Sequence, residues 1–280
     1  MTREPNATED ITYLRPSKGW AALDLGEVWS YRELLFFLAW RDIKVRYKQT
    51  VLGAAWAVIQ PFFMMIVFTI FFGLLARIPS DGLPYPVFAY SGLLPWTYFA
   101  YALTESSNSL VNNANLLSKV YFARLVIPLA STLAGLIDLA IATVILLGMM
   151  LFYGITPTWA ALTLPLFVLL AVLTALAVGL WLSALNVRYR DIRYAIPFLV
   201  NVWMFATPIA YPSSLVPDPY RLIYGLNPMV GVVEGFRWAL LQQNAGFGPV
   251  LAISVLSVIG LLIGGLLYFR RTEQSFADVV

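Results

Sequence analysis

The chain of 280 residues has no cysteine and no histidine, and only 12% of its residues are charged. Without Cys or His it has no disulfide, no thiol nucleophile, no haem ligand and none of the usual zinc sites. Redox compartment therefore leaves no mark on the sequence. The scarcity of charge stands beside 60% hydrophobic residues and a mean hydropathy of +0.76, which excludes a soluble globule with a polar skin. This is the composition of a polytopic membrane protein.

Catalytic signatures are absent as well. The neighbourhood Ser17, Lys18, Gly19 has the wrong order for a phosphate loop and no strand before it, so the chain is expected not to hydrolyse ATP. There is no His–Glu–x–x–His, no Gly-x-Ser-x-Gly and no loop cluster of paired carboxylates that would hold a metal. The expectation is a non-enzyme with no catalytic residue, no bound metal and no cofactor of its own. A net charge of +3 does not argue for nucleic acid, because the cations sit in the loops that flank apolar segments.

Those apolar segments fall near Val51–Ala76, Val87–Ser109, Leu125–Tyr153, Ala161–Asn186, Ala195–Tyr211 and Val250–Phe269. Each is read as a transmembrane helix, since lipid cannot satisfy open backbone, and the fifth is the shortest. The predicted fold class is all-α integral membrane, with six transmembrane helices. Between the fifth and sixth, Pro212–Gly248 carries Pro212, Pro217, Pro219 and Pro228, which exclude one continuous helix. Its part Gly231–Gln243 is predicted to be a re-entrant helix.

Of the eighteen Lys and Arg, fifteen fall in residues 1–50, the Ser109–Arg124 connection, the 187–194 loop and the tail. Only Arg77, Arg221 and Arg237 fall on the other side. That asymmetry predicts cytoplasmic N and C termini, in agreement with an even number of spans. The organisation expected is a cytoplasmic lead-in over 1–28, an interface helix over 29–50, the six-span domain over 51–269 and a cytoplasmic tail over 270–280.

Within Trp29–Gln49, Phe36, Trp40, Ile43 and Tyr47 recur at helical spacing, and Arg41, Lys44 and Lys48 share a neighbouring face. This reads as an amphipathic basic helix for the cytoplasmic headgroup layer. It either anchors topology or also meets an anionic lipid-linked molecule. Two acids lie inside spans. Asp138 in the third and Glu105 near the cytoplasmic end of the second read as inter-helix polar contacts, with a substrate or proton site as the alternative. Aromatic residues crowd the first span, the segment after Pro86 and the fifth span. An aromatic belt against lipid and a conduit for sugar rings are both open for them.

Five stretches carry a resemblance: RYKQTVLGAAWAVIQP (Arg46–Pro61), GLLPWTYF (Gly92–Phe99), NNANLLSKVYFARLVIPLA (Asn112–Ala130), LNVRYRDIRYAIPFLVNVWMFATPIAYP (Leu185–Pro212) and YGLNPMVGVVEGFRWALL (Tyr224–Leu241). On these the chain is similar to the permease subunit of polysaccharide ABC exporters, which move O-antigen, capsule or wall teichoic acid chains across the bacterial inner membrane. One departure is Ala123, where that family often has proline.

The resemblance implies a homodimer with a continuous channel, two separate ATPase subunits that use ATP and Mg, and a polyprenyl-pyrophosphate-linked glycan, with O-antigen favoured. Channel residues would be Trp56, Phe62, Phe63, Trp96, Tyr98, Phe198, Trp203, Phe205 and Tyr211. The lipid pyrophosphate would be admitted past Arg41, Lys44, Arg46 and Lys48, with Thr50–Gly53 as the turn into the first span. The ATPase would meet Asn112, Asn115, Lys119 and Arg124, and secondarily Arg188 and Asp191, with Asp191 able to pair locally with an arginine. Pro212–Gln243 would frame the exit. The other readings are a drug or small-lipid exporter on the same architecture, and a membrane-embedded polyprenyl-phosphate sugar transferase. The latter is disfavoured by the missing carboxylates.

Overall fold

The computed structural model describes residues 25–48, 55–242, 247–273 and 276, and every described element is helical. The expected lead-in up to residue 24 and the Thr50–Gly53 turn lie outside the described residues. The helices are α1 (Leu25–Ser30), α2 (Arg32–Lys48), α3 (Trp56–Phe68), α4 (Tyr85–Asn112), α5 (Ala114–Lys119), α6 (Val126–Ala134), α7 (Leu136–Phe152), α8 (Leu164–Arg188), α9 (Ile192–Phe205), α10 (Asp218–Tyr224), α11 (Pro228–Leu241) and α12 (Phe247–Glu273). A π-helical stretch, Thr69–Leu75, extends α3.

Helix α4 is the hub. It packs most extensively on α8, and α6, α11, α3, α7 and α9 surround it. The main core gathers Tyr90, Leu93, Trp96, Phe99 and Leu103 of α4 with Ala171 and Ala175 of α8 and Val232, Val233 and Phe236 of α11. A second core lies at the other end of the bundle. It joins Leu38 of α2, Leu117 of α5, Phe122, Ile127 of α6, Leu180 and Ala184 of α8, and Phe269 of α12.

Four stretches are long and apolar enough to cross a membrane: Trp56–Leu75, Val126–Phe152, Trp159–Arg188 and Gly248–Glu273. The expected second and fifth spans differ for separate physical reasons. At 28 residues α4 is long, but it carries Ser106, Ser107 and Ser109, all buried. Ser107 and Ser109 return their hydroxyls to Leu103 O at 2.6 Å and Ser106 O at 2.7 Å. Its polarity is thus spent inside the bundle, and other helices rather than lipid cover it. Helix α9 has 14 residues, about 21 Å at 1.5 Å per residue, against roughly 30 Å of hydrocarbon.

The third apolar segment breaks at Gly135, between α6 and α7. A Cβ at Gly135 would lie 2.7 Å from the Tyr101 ring, so α4 approaches the joint more closely than any side chain would allow. The break places Asp138 in the first turn of α7, where the helix dipole favours a carboxylate.

Helix α2 differs from a helix with one apolar stripe. Leu38 is buried and Leu34, Leu35 and Ala39 pack on the second core, whereas Phe36, Phe37 and Trp40 are exposed. Phe36 and Trp40 stack on each other, with ring centroids 6.4 Å apart. The helix is apolar on two sides: one grips the bundle along α6, and the other presents aromatics outward.

Candidate functional site

Helices α2, α3, α4, α7 and α9 enclose a cavity of about 370 Å³. Its polar lining comes from Gln60, Thr97, Thr104, Glu105, Asp138, Asn201 and Arg46, and its aromatic lining from Trp56, Trp96, Tyr98 and Tyr101. Such a mixture of ring faces and amide, hydroxyl and carboxylate groups suits a hydroxyl-rich, ring-shaped guest better than a purely apolar one.

At one end of the cavity α2 closes on α7. Arg46 pairs with Asp138 Oδ2, and the Tyr47 hydroxyl donates to Asp138 Oδ1. The guanidinium of Arg46 also lies over the Tyr101 ring, 4.0 Å from its centroid. Burial and the adjacent Asp138 carboxylate push the Tyr47 hydroxyl well above the ordinary phenol range, so it remains a donor. Asp138 is therefore an inter-helix contact with partners on both oxygens.

The four cations expected to meet pyrophosphate divide into two pairs. Arg41 donates to Asp42 Oδ1 at 2.8 Å and to Asn113 Oδ1 at 3.0 Å, and Arg46 is engaged as described. Lys44 and Lys48 are exposed, Lys44 with its ammonium 5.5 Å from the Trp40 ring centroid.

The aromatic residues expected on a channel wall also divide. Trp56, Phe62, Phe63, Phe198 and Phe205 are exposed on α3 and α9. Trp96 and Tyr98 are only 3% exposed, and so differ from a free wall. They belong to the hub helix: Tyr98 donates to Thr132 O at 3.2 Å, and Trp96 packs on Phe99 at 5.3 Å, although both still contribute to the cavity lining. Trp203 is half-buried, edge-on to Phe99 at 5.1 Å, with its indole N–H donating 2.8 Å to Asn227 Oδ1. The Tyr211 hydroxyl reaches Phe205 O at 3.0 Å and the Tyr224 hydroxyl at 2.9 Å.

Beyond α9 the chain runs irregularly, and its carbonyls are taken up one by one. Asn227 Nδ2 donates to Ala206 O at 3.0 Å, Arg237 Nη1 to Pro208 O at 2.5 Å, Arg237 Nη2 to Ile209 O at 2.9 Å and the Tyr85 hydroxyl to Ala210 O at 2.6 Å. This is how non-helical backbone is kept inside an apolar bundle. Arg237, counted in the sequence as a loop cation, is instead 1% exposed and paired with Glu234 at 3.3 Å. Its role escaped the sequence reading. The signal was the spacing of Glu234 and Arg237, one helical turn apart in an otherwise uncharged helix.

At the opposite end, Asn112, Asn115 and Lys119 are exposed around the short helix α5. Arg124 is not free in the same way, because it donates to the backbone carbonyl of Glu273 at the end of α12. Ala123, the departure from proline, is buried at 2% in the second core. Arg188 and Asp191 are both exposed. Arg188 sits 5.5 Å from the Tyr189 ring centroid, and no ion pair to Asp191 occurs among the described residues.

Residues 33–241 match the family described as ABC-2 type transporter. An O-antigen export system permease protein RfbA of Myxococcus xanthus is 30% identical over 259 residues, covering 91% of this chain and 98% of the relative. A Klebsiella pneumoniae protein of the same name is 27% identical, covering 89% and 95%. The polysialic acid transport protein KpsM of Escherichia coli is 24% identical, covering 85% and 93%. With four apolar helices of spanning length, the protein is a multi-pass inner-membrane protein. The match over 33–241, running through the hub, the cavity and the buried Glu234–Arg237 pair, means that this chain belongs to the ABC-2 type transporter family.

Proposed function

We propose that this chain is the permease of an ATP-driven exporter that moves a polyprenyl-pyrophosphate-linked polysaccharide, O-antigen in the first instance, across the inner membrane. Two copies form the path. Two separate ATPase subunits supply ATP and Mg chemistry below it. Six membrane passes, with α4 and α9 joining the four apolar helices, leave both termini in the cytoplasm. Helices α10 and α11 form the re-entrant exit.

The observation that carries this reading is the exposed aromatic face of α3 and α9 beside the polar, aromatic cavity. Trp56 is both exposed, at 53%, and part of the cavity lining, so the face and the cavity are continuous. Rings of this kind give a sugar chain apolar contact without the tight hydrogen bonds that would arrest it. The relatives named for O-antigen export and polysialic acid transport support the polymeric cargo.

The cationic face of α2, with Lys44 and Lys48 outermost, meets the pyrophosphate. Asn112, Asn115 and Lys119 around α5 meet the ATPase, with Arg188 and Asp191 as a smaller second contact. The test is glycan export by cells carrying Trp56→Ala with Phe198→Ala. The expected result is loss of surface glycan with normal assembly with the ATPase; undiminished export removes the channel reading.

A further inference from the structure

We propose that a cleft between α2, α4 and α6 is an entry subsite for a neutral sugar unit, with the Glu105 carboxylate as its hydroxyl acceptor. This rests on the reading of the cargo as a glycan and deepens it, adding a place where one sugar is held before the main cavity.

The cleft has a volume of about 500 Å³, inside the range of roughly 300–1,000 Å³ for small-molecule sites. Helix α4 contributes Tyr101, Glu105 and Asn112, which share one helical face. Helix α2 contributes Arg41, Asp42, Val45 and Arg46, and α6 contributes Ser131. Some of these groups are already taken: Arg41 holds Asp42 Oδ1 and Asn113 Oδ1, and Arg46 holds Asp138. Others are open. None of the described residues donates a hydrogen bond to Glu105 or to Asp42 Oδ2, and the Asn112 amide and Ser131 hydroxyl have no hydrogen-bond partner among them. Ser131 is only 6% exposed, so its open hydroxyl belongs to the cleft and not to the outer surface.

Charge selects the guest. Two guanidinium groups and two carboxylates line the cleft, so neither sign of ion is favoured overall. The charged groups left open are acceptors, which repel an anion, and the fixed guanidinium groups repel a metal cation. A neutral molecule with several hydroxyls satisfies both conditions. Its O–H groups donate to Glu105 and Asp42 in charge-assisted bonds, while Asn112 and Ser131 donate and accept. A pyranose carries such hydroxyls on adjacent carbons.

The cleft also leads onward. Arg46, Tyr101 and Glu105 line the main cavity as well, so the two spaces share a wall. In the main cavity the side-chain amides of Gln60 and Asn201 are likewise without a hydrogen bond to any described residue. Glu105 therefore stands where a sugar leaves one set of open polar groups and meets the next.

Because the chain has no cysteine, a single introduced thiol reports on the cleft. The test uses inverted membrane vesicles holding the full chain and its ATPase subunits, without ATP. They come from cells that make the lipid-linked glycan and from cells blocked in its first sugar transfer. Alkylation of Val45→Cys and of Ser131→Cys by N-ethylmaleimide is measured in each. The glycan is expected to slow both severalfold and to leave Glu33→Cys, exposed on the first turn of α2, unchanged. Glu105→Gln is expected to abolish the protection of Val45→Cys at an unfolding temperature equal to the parent's; protection that survives removes Glu105 from the site. A glycan that the parent exports but that protects neither thiol overturns the subsite while the export reading stands. Absence of export by the parent removes both. Farnesyl pyrophosphate added to the blocked vesicles supplies the headgroup alone, and protection equal to that of the glycan overturns a sugar site. Protection that follows the ATPase subunits in both kinds of vesicle assigns the cleft to a segment of that partner and overturns the proposal as well.

Discussion

The guanidinium carbon of Arg237 on α11 lies 3.7 Å from the centroid of the Phe88 ring on α4, inside a bundle where Arg237 is 1% exposed. Its nitrogens serve the carbonyls of Phe88, Pro208 and Ile209 and the carboxylate of Glu234. One side chain thus joins the start of α4, the irregular stretch after α9 and α11. Removing it leaves the Pro208 and Ile209 carbonyls without their side-chain donor and the buried Glu234 carboxylate without its cation.

Arg237→Ala should therefore destabilise the protein by about 3–5 kcal/mol, the cost of breaking a buried pair from one side. Thermal unfolding in detergent measures this. Replacing Glu234→Leu in the same chain should recover part of the loss, because it removes the stranded charge, but not all, because the carbonyls remain unsatisfied. Full recovery would mean that the carbonyl contacts contribute nothing.

Two glycines give a contrast in packing. A Cβ at Gly235 would lie 2.1 Å from Cδ1 of Phe167, whereas one at Gly148 would meet nothing within 4 Å. Gly235→Ala should cost about 1–3 kcal/mol through overpacking of α11 on α8. Gly148→Ala, in the interior of α7, should be neutral or stabilise by up to roughly 1 kcal/mol through helix propensity. The same unfolding measurement on both variants decides, and equal effects would contradict the packing described for α11.

The contrast between these sites shows what the sequence could disclose. Apolar segments, the proline-broken stretch after α9 and the basic character of α2 were all legible, because hydropathy, proline and charge act locally. The break at Gly135 was not, since it depends on the Tyr101 ring of a helix some thirty positions earlier in the chain. Nor was the pairing of Asp138 with Arg46 and Tyr47, which are brought together only when α2 packs along α6 and reaches α7. Likewise Trp96 and Phe198 look alike as sequence, yet one sits on the hub and the other on an uncovered face. Partner helices decide burial, and the sequence reports only that a residue is large and aromatic.

Lys119 and Arg124 are close in sequence and differ in attachment. Lys119 is exposed at the end of α5, whereas Arg124 is tied to the carbonyl of Glu273. Lys119→Glu should lower permease-stimulated ATPase activity severalfold with no change in unfolding temperature. Arg124→Gln should instead destabilise the chain by about 1.5–3 kcal/mol, the scale of a hydrogen bond to a charged group. Measuring both quantities for both variants separates them, and an unfolding shift for Lys119→Glu with no change in ATPase activity would remove its coupling role.

Trp203 serves two ends at once, since its ring meets Phe99 and its indole N–H donates to Asn227 Oδ1. Asn227 also accepts from the Met229 amide and donates to the Ala206 carbonyl, so it fixes the start of α11 against the end of α9. Trp203→Phe keeps an aromatic ring and drops only the N–H, which should cost about 0.5–1.5 kcal/mol in stability. Trp203→Ala drops the ring as well and should cost about 3–5 kcal/mol. If the ring also contributes to the glycan path, export per assembled complex should survive in the Phe variant and fall in the Ala variant. Normalising surface glycan to the amount of complex recovered from the membrane separates the two effects. Equal export per complex in both variants would confine Trp203 to holding α9 against α11.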